Sequence, residues 1–406
     1  MIIVGAGPAG ASTAFFLARA GIDVLVLDRA RFPRDKTCSE YMSPQASRIL
    51  SEMNALDAVE SAGAARLQGM RVHAPNGATI EGGFVAEHGF RGFSDRGLAV
   101  RRTILDKILL DRARDAGARV EEGVRVTDVV RDSSGRAEGV WAATQGDLPM
   151  ERRAKLVIGA DGLRSVVGRR LGLIRSSRWP RRIALVTHFT GVEGIDAFGE
   201  MHVDRSGYCG VADVGNGLTN VAVVVPVSRA AEVAVDRTEF LESWIAERPP
   251  LASMFTKAVR VDPVRATGPF AARARRAWAP GAALVGDAAE FFDPFTGEGI
   301  YTALRGGELL SELAKQAVLA PAAGRDDNAL RRYETARRAE FSGKWKVERL
   351  IGAAIAFPPV INRAANVLSR RRDMADLLVG VVGDFVPARE VLRLGYLLNL
   401  LYSRPA

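Results

Sequence analysis

Four stretches of this chain carry residues whose types and spacing could do chemistry, and the first lies at its start. Gly5-x-Gly7-x-x-Gly10 follows the apolar run Met1 to Val4, and a second apolar run, Val24 to Leu27, ends at Asp28. Gly5 permits a tight turn, Gly7 lets backbone approach a pyrophosphate, and Gly10 lets a helix pack closely on a strand. The N-terminus of that helix then faces the phosphates, and the acid closing the second strand binds a ribose hydroxyl. The strand–turn–helix–strand context predicts a dinucleotide site at Gly5, Gly7, Ala9, Gly10, Asp28 and Arg29. A second stretch, Leu156 to Ser165, breaks at Asp161-Gly162. A third, Ala283 to Ile300, breaks at Gly286-Asp287 and runs through Asp293-Pro294 to Gly297-Glu298-Gly299-Ile300. The fourth, Arg31 to Pro44, contains Cys38.

In this order, the first three stretches resemble the FAD-binding set of flavoproteins of the para-hydroxybenzoate hydroxylase fold. That superfamily includes aromatic hydroxylases, geranylgeranyl reductases and flavin-dependent halogenases. The resemblance runs from residue 1 to about residue 310. It implies non-covalent FAD, with NADH or NADPH as reductant. One βαβ unit holds only the ADP half of FAD, so a distant loop must hold the ribityl chain and ring. Asp287 at a strand end accepts a ribityl hydroxyl, and Gly297, Gly299 and Ile300 precede a helical pattern (Ala303, Leu304, Leu309, Leu310, Leu313). Their amides would face the flavin N1 and C2 carbonyl and stabilise the anionic reduced ring. The resemblance further places Asp161 and Gly162 near the pyrophosphate, where Asp161 helps the nicotinamide meet the flavin. It places Pro294 on the oxygen-reacting side, and Val126 and Gly286 among the cofactor-binding residues. An arginine of Val100-Arg101-Arg102-Thr103 is implied near the phosphates. Arg102 matches it, Arg101 competes, and a surface salt bridge is the plain alternative.

The remaining composition bounds the class. At 406 residues the chain is long enough for two interleaved domains, and 48% hydrophobic with 25% charged residues is ordinary for a globular protein. The net charge is +9 with only seven lysines, and no nucleic-acid motif accompanies it, so no nucleic-acid partner is expected. Two cysteines make no disulfide framework, and the chain starts directly in a strand. A cytoplasmic location is the expectation. No apolar run reaches the roughly 18–20 residues that span a bilayer.

The expected fold is α/β: a Rossmann-like FAD-binding domain with an inserted, mainly antiparallel substrate sheet and a helical C-terminal region. The cofactor domain is assigned to 1–65, 101–174 and 276–315, the sheet domain to 66–100 and 175–275, and the helical region to 316–406. Helices are expected at Pro44 to Glu60, Thr103 to Ala116 and Thr238 to Glu247, and a loose loop at Ala320 to Asp327. Strands are expected at Ile183–Thr190, Phe198–Asp204, Tyr208–Val214 and Thr219–Pro226, with Gly215-Asn216-Gly217 as a hairpin turn. Such a sheet would close over the flavin, where a substrate pocket at a domain boundary is expected. The C-terminal apolar stretches, Leu377 to Val382 and Leu392 to Tyr402 behind Arg370-Arg371-Arg372, read as a lipid-contacting amphipathic surface or as packing helices.

For the reaction, Pro33-Arg34-x-Lys36-x-Cys38 resembles the flavin-lining stretch of geranylgeranyl reductases, although Ser39-Glu40 departs from their Gly-containing continuation. Halogenases lack that cysteine. Prenyl reductases carry Tyr-x-Trp-x-Phe-Pro in the sheet; here Tyr208 is kept, while Gly210, Ala212 and Asp213 replace the bulky positions. The missing indole opens room for a wider substrate. Monooxygenation (hydroxylation or epoxidation through a flavin C4a-hydroperoxide) asks little of side chains beyond a dry cavity, and is the leading expectation. Its substrates would be molecular oxygen and a largely apolar aromatic, polyketide-like or isoprenoid molecule. The alternative is reduction or dehydrogenation of carbon–carbon double bonds, with a non-catalytic flavin redox partner behind both. Candidate catalytic residues are Cys38, Pro294 and Tyr208, and candidate pocket residues are Tyr208, Gly210, Ala212 and His202; no metal site is expected. Cys209 reads as a small sheet residue, with a Cys38/Cys209 redox pair as the sharper alternative.

Overall fold

A computed structural model describes residues 1–85, 88–176, 181–319 and 327–402. The apolar runs at the start of the chain form the middle of a six-stranded sheet. Its order is Trp278–Ala279, Ala282–Leu284, Val157–Gly159, Ile2–Val4, Leu25–Asp28, Arg119–Glu122. All pairings are parallel except that of the outer Trp278–Ala279 strand. Ile3 lies between Ile158 and Val26 in register, and all three are fully buried, as strands covered on both faces must be. The helix Pro8–Arg19 leaves the first strand through the glycine turn and packs along Gly299–Leu319. Small residues allow the approach: Ser12 Oγ donates to Leu304 O at 2.8 Å, and Ser311 Oγ to Thr13 O at 3.3 Å. The two helices that start at the cofactor loops thus brace one another.

A separate eight-stranded sheet has the order Val259–Arg260, Arg182–Thr190, Thr219–Pro226, Gly207–Asp213, Phe198–Asp204, Gly69–His73, Thr79–Gly83, with Arg265–Thr267 also on Arg182–Thr190. Strand alternation divides its faces. Tyr208 packs with Val186, Met201, Val224 and Phe295 on the inner face. Cys209 and Val211 pack outward with Leu241, Trp244 and Leu251, under the helices Arg237–Ala246 and Pro249–Met254. The four expected strands form within a residue of their predicted limits. Gly215, Asn216 and Gly217, all at positive φ (85°, 55° and 71°), turn between two of them.

One expected element departs from its predicted form. The helix over Pro44 to Glu60 splits into Ala46–Glu52 and Leu56–Ser61, because Asn54 adopts a left-handed φ of 54° that a helix cannot absorb. Residues 124–153 fold as their own three-stranded antiparallel sheet, Met150–Arg153, Ala137–Thr144 and Val124–Arg131. The expected loop at Ala320 to Asp327 lies, apart from Asp327, outside the described residues. Beyond it come the helices Asn328–Ala356, Pro358–Leu368, Arg372–Val382, Arg389–Leu392 and Leu394–Tyr402. Arg372–Val382 packs on Thr79–Gly83, with Arg372 on Glu81 and Asp376, and Arg371 on Asp373. No single helix among the described residues is long and apolar enough to cross a membrane.

Candidate functional site

The carboxyl ends of the parallel strands and the inner face of the antiparallel sheet enclose one cavity of about 710 Å³. That is the crevice position where open α/β sheets bind ligands. Of the cofactor and pocket residues assigned from the sequence, all but Gly10 and His202 line it, and the alternatives Arg101 and Cys209 lie outside it.

At one end Gly5, Gly7 and Ala9 bring the helix N-terminus to the cavity. Gly10 lies behind the wall, where a Cβ would fall 1.8 Å from Gly5 O. Asp28 accepts from Ala6 N at 2.7 Å and Ala30 N at 2.8 Å, which clamps its carboxylate at the strand end beside the exposed Arg29. Arg102 and Arg34 both point at Gly7: a Cβ there would stand 3.8 Å and 3.4 Å from their Nη2 atoms. Both guanidinium groups rest on the buried Asp106, Arg102 through Nε and Nη2 at 2.7 and 2.8 Å and Arg34 at 3.0 Å. Arg101 turns away to Asp262, at 2.7 Å, so the structure selects Arg102. Two arginines facing a glycine turn and a helix N-terminus fit a pyrophosphate.

In the middle of the cavity stand Val126, Asp161, Gly162, Gly286, Asp287 and Lys36. Burial lowers the Lys36 ammonium against the pull of Asp287, and burial raises the Asp287 carboxyl against Lys36 and Arg102. Asp287 offers an acceptor to a polar chain passing between the two ends. Asp161 also has a structural role. Its carboxylate accepts from Ser165 Oγ and Val166 N, both at 2.6 Å, and so fastens the start of the helix Val166–Arg170.

At the far end, Asp293-Pro294 and Gly297-Glu298-Gly299-Ile300 lead into Gly299–Leu319. Tyr208 lines the cavity with its hydroxyl already engaged. Its hydroxyl donates to Asp293 Oδ1 at 2.5 Å, Arg182 holds Asp293 Oδ2 at 2.6 Å, and the Tyr208 ring meets Phe295 edge-on at 5.0 Å. Tyr208 is therefore a positioning residue for the Pro294 loop. Cys38 lines the cavity, its carbonyl held by Asn220 Nδ2 at 3.0 Å. Cys209 is fully buried on the opposite face of the sheet, so the two thiols share no cavity. Gly210 and Ala212 line the inner face, where a Cβ at Gly210 would meet only Met201, at 3.2 Å. His202 does not belong to the pocket. It lies on the outer face against Glu200, because it alternates with the inward Met201 and Val203.

Four site groups escaped the sequence reading. Arg34 and Lys36 stood in the quoted loop, and the Arg102-to-Asp106 spacing of one helical turn was a legible signal. Glu348 on the helix Asn328–Ala356 had none, since only packing brings it into the cavity wall. Burial, reinforced by Glu298, Glu290 and Asp293, pushes its carboxyl well above the carboxylate range.

The FAD binding domain family matches residues 1–342. The chain belongs to this family. Its cofactor is FAD and its class is flavin-dependent oxidoreductase, with the fold of the para-hydroxybenzoate hydroxylase superfamily. The chain is 29% identical to digeranylgeranylglycerophospholipid reductase 2 of Methanopyrus kandleri over 95% of its own length and 93% of that protein's. It is 28% identical to the menaquinone reductase of Mycolicibacterium smegmatis over 95% and 91% of the two chains. A flavoprotein/dehydrogenase from Cytophaga hutchinsonii superposes with a TM-score of 0.82 over 98% of this chain and 94% of that one, at 22% identity.

Proposed function

We propose that this flavoprotein adds hydrogen across a carbon–carbon double bond of an apolar, isoprenoid-like molecule, with NADH or NADPH as the source of electrons. The observation that carries this reading is Glu348, a carboxyl that burial pushes well above the carboxylate range, placed in the wall of a cavity that also holds Phe, Trp, Met and Val side chains. Bound FAD supplies hydride transfer. The chain must then supply a proton to the other carbon, and Glu348 Oε–H is a group able to do so from a dry site. Arg34 and Arg102 would bind the phosphates of FAD and Asp287 would orient its ribityl chain, while Tyr208 and Arg182 hold Asp293 at the start of the Pro294 loop. The reductases similar to this chain over nearly its whole length support the same reading.

Monooxygenation is the second reading, favoured by the open space at Gly210 and Ala212. Turnover of a candidate polyprenyl substrate in labelled oxygen and under anaerobic conditions separates the two. Reduction is expected to proceed without oxygen and to add two hydrogens. A product carrying one labelled oxygen atom overturns the proposal. Glu348→Gln is expected to lower kcat by roughly 100-fold or more while FAD remains bound, the usual scale for a general acid. Unchanged kcat removes Glu348 from the chemistry.

A further inference from the structure

On the outer face of the antiparallel sheet three side chains converge, one of them from Glu200, which also borders the FAD cavity. His73 ends the strand Gly69–His73, and Glu200 and His202 are alternate residues of Phe198–Asp204. The two strands pair in parallel with His202 opposite His73 and Glu200 opposite Arg71. Both imidazoles address one oxygen: His202 Nε2 lies 3.0 Å and His73 Nε2 3.4 Å from Glu200 Oε2. The rings stack with centroids 4.3 Å apart, and one donor atom from each residue lies within 4.8 Å of the other two. His73 Nδ1 sits 3.1 Å from Thr79 Oγ1, while its Nε2 is buried without a hydrogen-bond partner. A ring whose Nδ1 proton bonds to Thr79 presents a lone pair at Nε2, the tautomer a metal ligand needs.

We infer that His73, Glu200 and His202 form a three-ligand site for a borderline divalent transition ion, represented by zinc. Two imidazoles and one carboxylate are a donor set suited to zinc, whereas magnesium and calcium prefer all-oxygen sets. Tetrahedral zinc with nitrogen ligands at about 2.0–2.1 Å requires donors about 3.3 Å apart. The His–Glu separations already match that edge, and rotation of the half-exposed His73 ring closes the third. Arg71 approaches the other oxygen, Glu200 Oε1, at 3.6 Å. Its guanidinium is already matched by Glu81 and Asp196, each at 2.6 Å, which leaves Oε2 to the ion. The ion would staple the one parallel pairing among the described strands of this sheet. Met70 and Met201 on the same two strands line the FAD cavity, so the staple would stiffen its outer wall.

The test uses untagged, FAD-loaded, metal-stripped protein titrated with zinc chloride by calorimetry and followed by thermal unfolding. One zinc per chain and a rise in Tm are expected, with no response to magnesium. His202→Ala and His73→Gln should each weaken zinc by roughly 100-fold or more, at least the upper end of what loss of an outer-shell partner costs. Flavin content checks that each variant is folded, and if His202→Ala loses FAD, the more exposed His73→Gln decides. Absence of zinc binding, or equal affinity and stoichiometry in the folded variants, overturns the site.

Discussion

Two glycines, Gly10 behind one wall of the cavity and Gly210 on another, show how differently its two ends are built. A Cβ on Gly10 would stand 1.8 Å from Gly5 O, a backbone atom fixed by the central strand. A Cβ on Gly210 would stand 3.2 Å from the sulfur of Met201, the flexible end of a side chain. At the nucleotide end backbone packed on backbone sets the turn that carries the site, so that turn cannot yield. At the sheet end side chains form the binding surface, so shape is adjustable by substitution. This is the physical basis for one cofactor serving many substrates on one fold.

The largest expected effect breaks the rigid end. Gly10→Ala should abolish stable FAD binding, because the helix must move off the strand; overpacking costs typically about 1–3 kcal/mol and more where backbone is the obstacle. Yellow, fully loaded protein from that variant would show that the turn tolerates what the geometry forbids. Next, Asp287→Ala removes a charge-assisted acceptor worth roughly 1.5–3 kcal/mol, or roughly 10- to 100-fold in FAD affinity. Equilibrium dialysis of the flavin measures it, and an unaltered dissociation constant would remove Asp287 from the ribityl contact. At the adjustable end, Gly210→Trp should leave FAD bound but cut turnover of a wide substrate more than that of a slender one. Equal loss for both would mean that residue 210 does not shape the pocket.

The smallest effect concerns the contact of His188 with Glu40. His188 Nε2 lies 2.7 Å from Glu40 and its Nδ1 2.8 Å from Asp262, while Glu40 also accepts from Arg102 N at 2.8 Å. Burial alone would lower the imidazole, but the hydrogen bond and charge of Glu40 outweigh it and the value is raised. The protonated ring therefore stabilises the fold fully below the unfolded value near 6.5, and that contribution is lost as pH rises through the folded value. Thermal unfolding across that window should show a decline that His188→Gln flattens. An identical profile in the variant would mean that another group controls it.

The sequence by itself determined the features that live in short stretches of backbone. The glycine turn, the Gly-Asp and Asp-Gly breaks and the Gly215-Asn216-Gly217 hairpin each depend on φ values and strand periods that neighbouring residues dictate. Three such motifs in order were enough to mark the FAD family. Tertiary structure alone decided which side chains meet. Arg101 and Arg102 are adjacent, yet only packing sends one to Asp262 and the other to the glycine turn. Tyr208 and Asp293 are distant in the chain, so the hydrogen bond that ties down the Tyr208 hydroxyl has no local signature. His202 sits on a strand whose alternation is plain, but alternation names two faces without saying which one meets the cofactor. Glu348 enters the cavity only because a long helix far along the chain is laid across it. Contacts of this kind arise from burial shared between remote segments, and no window of neighbouring residues contains both partners.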